Sequence, residues 1–548
     1  MAKERLDLLV IGGGITGAGI ALDAAARGLR VGLVEKWDFA AGTSGRSTKL
    51  IHGGLRYLKQ GEIHLVREVG RERAILYRNA PHVVVPERML LPILRGGSLG
   101  RGMTAFGLWL YDRLADVQPA ERRVMLSRAE TLTAEPLLSP ERLIGGGLYY
   151  EYRTDDARLT IEVVKTAAAL GALCVNRAEA VALLYDAGRI RGAVVLDRES
   201  GEEHTVTARQ VVNAAGPWVD ELRRMDRSLD DRRLHLTKGV HVVVPRSRLP
   251  LRQSVYFDVE DGRMVFAIPR DAVTYIGTTD TDYDGPLDQP PVLLEDVRYL
   301  LRAANHMFSG VHLTPGDVCS GWAGLRPLIH EEGRSPSELS RKDEIFLSPT
   351  GLISIAGGKL TAYRKMAERA VDVVMRRLAE TEGRPWRPSR TADIPLSGGE
   401  RGKAETLAEM RALRVPAPAD AGDARVMEDR IRRLYRRYGC NAPAIWADAM
   451  RQAERTEEVD EKLLEAEFRY GVEEEMVCNP CDFLVRRTGA LHFEPDQAHE
   501  RFRRVLSRAT AWFGWDEARV AREVEAWEAQ RQAAAGFTTL PSQGRGRP

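Results

Sequence analysis

The sequence predicts an α/β protein with a Rossmann-like unit, an antiparallel sheet and a helical C-terminal domain. Three observations support this fold class. Residues 7–36 follow the order strand, glycine turn, helix and strand, and residues 235–283 hold several β-rich runs separated by turn residues. Beyond about residue 402 the chain is helical and heavily charged. With 548 residues it is long enough for several domains.

The first unit carries a dinucleotide-binding fingerprint. Gly12, Gly14 and Gly17 follow an apolar strand in the G-x-G-x-x-G spacing and precede a helix. These glycines allow a tight turn, a close approach of backbone to a pyrophosphate, and tight packing of the helix on the sheet. Glu35 ends the second strand, where its carboxylate can accept from a ribose hydroxyl. The fingerprint does not distinguish NAD from FAD.

The next segments contain two candidate binding features. The loop over 40–57 is rich in Gly, Ser, Thr and basic residues, which favours a loop that wraps a cofactor over a simple surface loop. Residues 102–117 combine Met, Phe, Trp and Leu with flanking arginines. A buried helix is the more common explanation of such a pattern, and an amphipathic segment on a membrane surface is the second explanation.

Later glycine turns mark further points of close backbone approach. A buried-type strand over 209–215 ends at Gly216, which either approaches a cofactor or makes a tight turn to a helix. An apolar strand over 352–356 ends in the pair Gly357-Gly358, which opens a helix over about 361–380. This second glycine turn can abut the ring end of a dinucleotide bound at the first. The antiparallel region over 235–283 is a candidate substrate platform.

Charge and cysteine content exclude several classes of protein. The 80 Lys and Arg against 78 Asp and Glu give a net charge of +2, so nothing in the global charge favours nucleic acid, and the Arg-rich run over 430–437 is typical of a solvated helix face. Five cysteines give no disulfide framework and fit a reducing cytoplasm. Cys478 and Cys481 form a single CxxC, which is weak evidence for metal, so we expect none. No apolar run reaches the roughly 20 residues of a spanning helix.

Seven motifs together carry a resemblance to a known family. In chain order between about residues 5 and 375 they are DLLVIGGGITGAGIALDAAARGLRVGLVEK, TSGRSTKLIHGGLRYL, VVNAAGPWVD, LTKGVHVVVP, YIGTTDTDY, SGWAGLRPL and AGGKLTAYRKMAE. They resemble the FAD-dependent glycerol-3-phosphate dehydrogenases of aerobic bacteria and mitochondria. In the last part of the chain only CDFLVRRT resembles that family.

The resemblance implies a fold of the D-amino-acid-oxidase type. An FAD-binding domain would consist of residues 1–70, 150–222 and 345–380, and an antiparallel substrate-binding domain of residues 71–149 and 223–344. A linker over 381–402 would lead to a helical C-terminal cap domain over 403–535 and a disordered tail over 536–548.

The resemblance also implies an activity and its setting. The reaction is the oxidation of sn-glycerol 3-phosphate to dihydroxyacetone phosphate, with electrons passed from FAD to a membrane quinone. The enzyme would be cytoplasmic, peripheral on the inner face of the membrane, and a homodimer. The related oxidases use oxygen and carry an extra internal segment that is not apparent in this sequence. The motifs are also compatible with an amine or amino-acid oxidase of the same fold, and with a flavin-binding scaffold without turnover.

Candidate site residues follow from the motifs and from the chemistry of the reaction. A phosphate dianion needs concentrated positive charge, for which Arg326 and Lys359 are the first candidates, helped by Arg56 and Tyr57. The hydroxyl proton needs a base, for which His241 is the first candidate and His52 the second. The cofactor positions carried over are Gly12, Gly14, Gly17, Glu35, Ser44, Ser47, Thr48, Lys49, Leu50, Gly216, Gly357 and Lys359.

Overall fold

The computed structural model describes residues 1, 5–53, 63–97, 100–114, 117–329, 343–413 and 421–537. The strands are β1 (Leu6–Ile11), β2 (Val31–Val34), β3 (Leu50–Ile51), β4 (Val85–Leu94), β5 (Val124–Ser127), β6 (Leu143–Arg153), β7 (Leu173–Val175), β8 (Ala178–Asp186), β9 (Arg189–Asp197), β10 (Glu203–Asn213), β11 (Leu234–Pro245), β12 (Ser254–Asp258), β13 (Met264–Arg270), β14 (Val273–Gly277), β15 (Thr281–Asp282), β16 (Ser320–Ile329), β17 (Asp343–Leu347) and β18 (Ile353–Gly357). The helices are α1 (Ile15–Ala26), α2 (Ile63–Asn79), α3 (Arg101–Leu114), α4 (Arg128–Ala134), α5 (Asp156–Ala169), α6 (Val219–Met225), α7 (Leu294–Met307), α8 (Tyr363–Glu382), α9 (Lys403–Ala412), α10 (Ala421–Tyr438), α11 (Ala442–Gln452), α12 (Val459–Glu475), α13 (Ala490–Phe493), α14 (Pro495–Phe513) and α15 (Glu517–Ala535), with a π-helical turn over Asp482–Arg487.

The first sheet has a parallel centre with the order β17-β18-β10-β1-β2-β7. Its strands β18, β10, β1, β2 and β7 are parallel, β17 is antiparallel at one edge, and the hairpin β8-β9 joins through β10. The chain moves from β1 to β2 on one side, while β10 and β18 lie on the other. The carboxyl end of β1 is therefore a topological switch point, where open α/β sheets bind ligands.

The second sheet is largely antiparallel, with the order β15-β11-β14-β13-β12-β4-β6-β3 and with β16 on the other edge of β11. Its one parallel pair among the described strands is β4 with β12. The helix α7 covers this sheet, and their apolar side chains form one core. Strand β11 lies between β14 and β16, and the site described below depends on that register.

Helices cover the first sheet and form the C-terminal domain. The helices α1, α5 and α8 pack together on the first sheet and share its core. Gly19 makes that contact possible, because a Cβ built there would lie 2.8 Å from a ring carbon of Tyr363. The C-terminal domain contains two further apolar clusters, one around Trp446 and one in which the rings of Phe502 and Trp527 stack 4.8 Å apart.

Most predicted elements occur close to their expected positions, but α3 differs from the favoured interpretation. The sequence favoured a buried helix over 102–117, whereas Met103, Phe106 and Trp109 are 62%, 54% and 41% exposed. The opposite face of α3 holds the buried Leu108 and Tyr111. The periodicity showed an apolar helix but not which face meets the protein. Within the described ranges, no helix combines the length and apolar character needed to cross a membrane.

The division into domains stays a prediction. Its boundary after residue 70 falls inside α2, and residues 383–402 form no helix or strand. This predicted linker nevertheless contacts the first unit, since Arg384 donates to both carboxylate oxygens of Asp7 at 2.8 Å. Most of the predicted disordered tail, 536–548, lies outside the described residues.

Candidate active site

A cavity of about 490 Å³ extends between the two sheets from the carboxyl end of β1 to the wall formed by β11 and β16. Its lining includes Glu35 and Trp37 after β2, Val181 on β8, His241 on β11 and Arg326 on β16, together with His52 and Lys359. Its middle passes the glycine turn between β1 and α1. The lining, with the glycine turn and the acid at Glu35, suits a dinucleotide with its adenosine near Glu35.

The glycine turn leaves room that side chains would fill. Gly12 has a φ of +110°, and a Cβ built there would lie 2.6 Å from the carbonyl oxygen of Ala214. At Gly17 the Cβ would lie 1.9 Å from the carbonyl oxygen of Gly12, so only glycine lets α1 pack this closely. Ser44 Oγ accepts from the backbone N–H of Ile15 at 2.9 Å. The turn therefore presents the N-terminus of α1 to the cavity, as a pyrophosphate requires.

Glu35 is held by backbone donors at the end of β2. Its Oε2 accepts from the N–H of Gly13 at 2.6 Å, and its Oε1 accepts from the N–H of Trp37 at 2.9 Å. Burial raises the pKa of Glu35, and these two hydrogen bonds oppose that rise. Each carboxylate oxygen has a second lone pair, so a fixed carboxylate remains able to accept from a ribose hydroxyl.

Val181 is a wall residue that sequence reasoning missed. The register of β8 against β9 shifts between Ala180 and Ala182, and Val181 lies at this irregularity on the cavity surface. Backbone groups at a bulge leave the regular ladder and can meet a ligand. No sequence signal marks the position of a bulge inside a hairpin.

His241 lies on β11 and lines the cavity. Its Nε2 is 3.0 Å from Thr48 Oγ1, and its ring stacks on Trp322 with centroids 4.9 Å apart. Its Nδ1 is buried and has no hydrogen-bond partner among the described residues. Burial lowers the pKa of His241 well below its usual range, and the charges of Arg326 and Lys49 lower it further. The imidazole is therefore neutral.

Arg326 and Lys359 line the same cavity as the two histidines. The charge of Arg326 acts on His241, and Thr361, which follows Lys359 and Leu360, donates to the carbonyl of His52. Arg326 Nη1 donates to Asp280 Oδ1 at 2.8 Å, which fixes the guanidinium on the wall. Gly239 lies beneath it, since a Cβ there would lie 2.4 Å from Arg326 Nη2. Lys359 follows the Gly357-Gly358 turn, where both glycines have a φ of +80°.

The structure brings most of the predicted cofactor residues to the cavity, with two exceptions among those described. The first exception is Gly17, which packs against the carbonyl of Gly12. The second is Lys49, whose ammonium pairs with the buried Asp156. The cavity wall includes Gly12, Gly14, Glu35, Ser44, Ser47, Thr48, Leu50, Gly216, Gly357 and Lys359. Arg56 and Tyr57 lie outside the described residues.

The C-terminal domain supplies a layer behind His241. His492 Nδ1 is 2.9 Å from Ser320 Oγ, and the ring of Phe493 packs edge-on against Trp322 at 5.8 Å. Burial lowers the pKa of His492 to about 3, so this ring is also neutral. Sequence reasoning did not connect these residues with the site, because His492 lies 172 positions beyond Ser320.

Comparison with known proteins identifies the family. Residues 7–364 match the family described as FAD dependent oxidoreductase, and residues 389–520 match the C-terminal domain of alpha-glycerophosphate oxidase. The aerobic glycerol-3-phosphate dehydrogenase of Bacillus subtilis (strain 168) is 50% identical over 519 residues, 94% of this chain and 93% of that protein. The chain belongs to the aerobic glycerol-3-phosphate dehydrogenase family. The predicted family is thereby confirmed.

Other members of the aerobic glycerol-3-phosphate dehydrogenase family support the same assignment. The enzyme of Staphylococcus aureus (strain USA300) is 50% identical over 498 residues, 90% of this chain and 88% of that protein. The glycerol-3-phosphate dehydrogenase from Bacillus halodurans, solved with FAD, superposes with a TM-score of 0.81 at 46% identity, covering 98% and 96% of the two chains. The predicted D-amino-acid-oxidase type of fold and the FAD cofactor are confirmed, and the chain is an FAD-dependent oxidoreductase.

Proposed function

We propose that this enzyme oxidises sn-glycerol 3-phosphate to dihydroxyacetone phosphate. The observation that carries the proposal is that Arg326, Lys359, His52 and His241 all line the cavity that holds the glycine turn of the FAD-binding unit. Two cations on the wall of one cavity suit a phosphate dianion, and the histidines on the same wall suit removal of a hydroxyl proton. The names of the 50%-identical relatives support the same substrate.

Bound FAD supplies the acceptor for the hydride that leaves C2 of the substrate. The protein must orient the C2 hydrogen toward it and take the hydroxyl proton as the C2 carbonyl forms. In our proposal Arg326 and Lys359 bind the phosphate and so fix the position of C2. The ion pair with Asp280 holds the guanidinium of Arg326 in place on the cavity wall.

The hydrogen bonds of His241 favour His52 as the proton acceptor. With the proton on Nε2, His241 donates to Thr48 Oγ1, and only the acceptor Nδ1 stays without a partner among the described residues. The other tautomer would bury an unsatisfied N–H, which costs more. A protonated Nε2 cannot accept a second proton, and Nδ1, the remaining basic atom of His241, is buried. We therefore propose His52 as the base and His241 as the residue that orients Thr48, which reverses the order expected from sequence.

Anaerobic spectroscopy tests the substrate. Bleaching of the flavin absorption by sn-glycerol 3-phosphate, and not by glycerol or an amino acid, is the expected result. Bleaching by an amino acid would instead favour an amino-acid oxidase. A flavin that stays oxidised with every compound would support a scaffold without turnover.

The same assay separates the two histidines. His52→Gln should slow flavin reduction by about 10²-fold or more, as loss of a general base does. His241→Gln should slow it less, because the amide can still donate to Thr48. A larger loss in the His241 variant would return the base to His241.

We propose a membrane quinone as the final electron acceptor and the exposed face of α3 as the membrane contact. Met103, Phe106 and Trp109 form an apolar patch, with the last two rings 5.9 Å apart, of the kind that partitions into a bilayer surface. An enzyme peripheral on the inner face of the membrane would reach its quinone there. The resemblance also implies a homodimer, which sedimentation equilibrium tests.

Liposome flotation tests the patch. The wild-type holoenzyme should float with anionic vesicles, and the triple variant M103S/F106S/W109S should stay in the soluble fraction. Trp386→Ser is the control, since Trp386 is 53% exposed but lies outside α3. Equal flotation of all three proteins would refute this contact. Reoxidation of the reduced enzyme faster by oxygen than by a soluble quinone analogue would favour an oxidase.

A further inference from the structure

The C-terminal domain reaches the segment that follows Glu35 through one buried ion cluster. Asp38 accepts from Arg487 Nη1 at 2.8 Å and from Nη2 at 2.9 Å, and it also accepts from Arg486 Nε at 2.5 Å. The side chains of Asp38 and Arg487 are both fully buried. Arg486 and Arg487 belong to CDFLVRRT, the segment in the last part of the chain that resembles the family.

Asp38 sits in a short segment that forms part of the cofactor cavity. We call residues 35–40 the cofactor loop. Glu35 at its start accepts from the N–H of Gly13, and the N–H of Ala40 at its end donates to the carbonyl of Gly13 at 3.2 Å. A Cβ on Gly13 would lie 2.7 Å from both Glu35 Cβ and a ring carbon of Phe39. A shift of the cofactor loop therefore moves the glycine turn with it.

Arg486 and Arg487 act on the cavity through Asp38. Among the described residues, neither Arg486 nor Arg487 lines the cavity, whereas Glu35 and Trp37 do. Arg487 is itself anchored, because its Nη2 also donates to the carbonyl of Glu475 at 2.7 Å. Asn176 adds a second support by donating to Asp38 Oδ1 at 3.1 Å. The cofactor loop is thus fixed between the glycine turn and the C-terminal domain.

Burial makes this cluster sensitive to the loss of either partner. Burial alone would raise the pKa of Asp38, but the guanidiniums of Arg487 and Arg486 hold it well below the usual range. Without Arg487 the carboxylate would be left in the interior with one of its two cations. A buried charge that loses its partner makes its surroundings rearrange.

We propose that Arg487, assisted by Arg486, is a positioning residue for FAD. Through Asp38 it holds the cofactor loop in the conformation that binds the adenosine half of the cofactor. The C-terminal domain is then part of the FAD-binding apparatus, although it contributes no wall near the adenosine end among the described residues. This inference rests on FAD binding in the described cavity and does not depend on the identity of the substrate.

The test compares two buried arginines of the same interface. Arg158 pairs with Glu162 and Glu475 at the contact between α5 and the C-terminal domain, and these ion pairs do not involve the cofactor loop. It shares Glu475 with Arg487, so the two variants disturb the same interface and differ in the contact to Asp38. The dissociation constant for FAD is measured by equilibrium dialysis of each holoenzyme, with free FAD quantified by its fluorescence. Thermal unfolding is measured in parallel. No substrate is needed, so failure of the proposed reaction would not affect the result.

Arg487→Met should raise the dissociation constant for FAD by about tenfold or more, while Arg158→Met should raise it by less than about threefold, since both remove a buried charge but only one supports Asp38. The two variants should lose similar thermal stability. If Arg158→Met weakens FAD binding as much as Arg487→Met, or if neither weakens it, the proposal is wrong.

Two further variants cover the case in which Arg487→Met does not fold. Arg487→Lys keeps the charge and should recover part of the FAD affinity, and Asp38→Asn should weaken FAD binding without changing size. The double variant D38N/R487K should bind FAD with about the affinity of whichever single variant binds it less tightly, because both changes disrupt the same interaction between Asp38 and Arg487. Additive losses in the double variant would contradict action of Arg487 through Asp38.

Discussion

The fit of His241 against Gly277 leads to a quantitative prediction. His241 on β11 is paired in register with Gly277 on one side and with Trp322 on the other. A Cβ on Gly277 would lie 2.0 Å from His241 Cδ2 and 2.6 Å from Nε2. Carbon atoms in contact are about 3.5–4.0 Å apart, so Gly277→Ala requires the ring to move by roughly 1.5 Å. The stacked ring of Trp322 blocks that movement.

The cost of this substitution follows from two contributions. Overpacking of a filled interior costs about 1–3 kcal/mol. Loss of the hydrogen bond between His241 and Thr48 adds about 1 kcal/mol. Gly277→Ala should therefore lower the free energy of unfolding of the holoenzyme by about 2–4 kcal/mol. Flavin reduction should slow as well, since Thr48 loses its orientation.

A double-mutant cycle in urea denaturation checks the cause. In a His241→Ala background the ring is absent, and Gly277→Ala should then cost less than about 1 kcal/mol, giving a coupling energy of about 2 kcal/mol. An equal cost in both backgrounds would refute the packing of His241 as the reason for glycine at this position.

Two further predictions concern buried ionisable groups. Burial lowers the pKa of His82 to about 3, so below about pH 6.5 the folded state binds fewer protons at this residue than the unfolded state does. The contribution of His82 to the free energy of unfolding is therefore fully present above about pH 6.5 and is lost as the pH falls toward 3. Between neutral pH and pH 5 the free energy of unfolding should fall by about 2 kcal/mol less in His82→Leu than in the wild type, as measured by urea denaturation at each pH. Identical pH profiles for the two proteins would contradict this. Lys49→Met should lower the free energy of unfolding by about 3–5 kcal/mol because the buried Asp156 carboxylate would lose its cation, whereas the control Lys36→Met, at the partly exposed pair with Asp288, should cost less than about 1 kcal/mol. Thermal unfolding that ranks the two lysine variants equally would be the contrary result.

The sequence predicted the features that depend on neighbouring residues. The glycine turn at Gly12, the acid at Glu35 and the register of strand, helix and strand all follow from short-range spacing. Repeated β-branched runs likewise predicted the second sheet. Such patterns need no knowledge of distant contacts, because turn geometry and pleat period are local properties of the chain.

The remaining features depend on pairs that are far apart in sequence. Lys49 was expected at the cofactor because of its loop, yet its partner Asp156 lies 107 positions away and draws the ammonium inward. The partners of Asp38 lie 448 and 449 positions away. A single sequence shows the charge of such residues and not the partner that neutralises them.

The strand order of the first sheet has a consequence for how the protein is made. The cavity wall includes residues at the ends of β1, β10 and β18, which are far apart in the sequence. The ribosome therefore synthesises these parts of the wall at three widely separated times. Domains fold as units during synthesis, and long-range strand pairing is slow. The cofactor can be captured only when about two thirds of the polypeptide has emerged. During that interval β1 and β2 must stay soluble without the neighbours that later cover them.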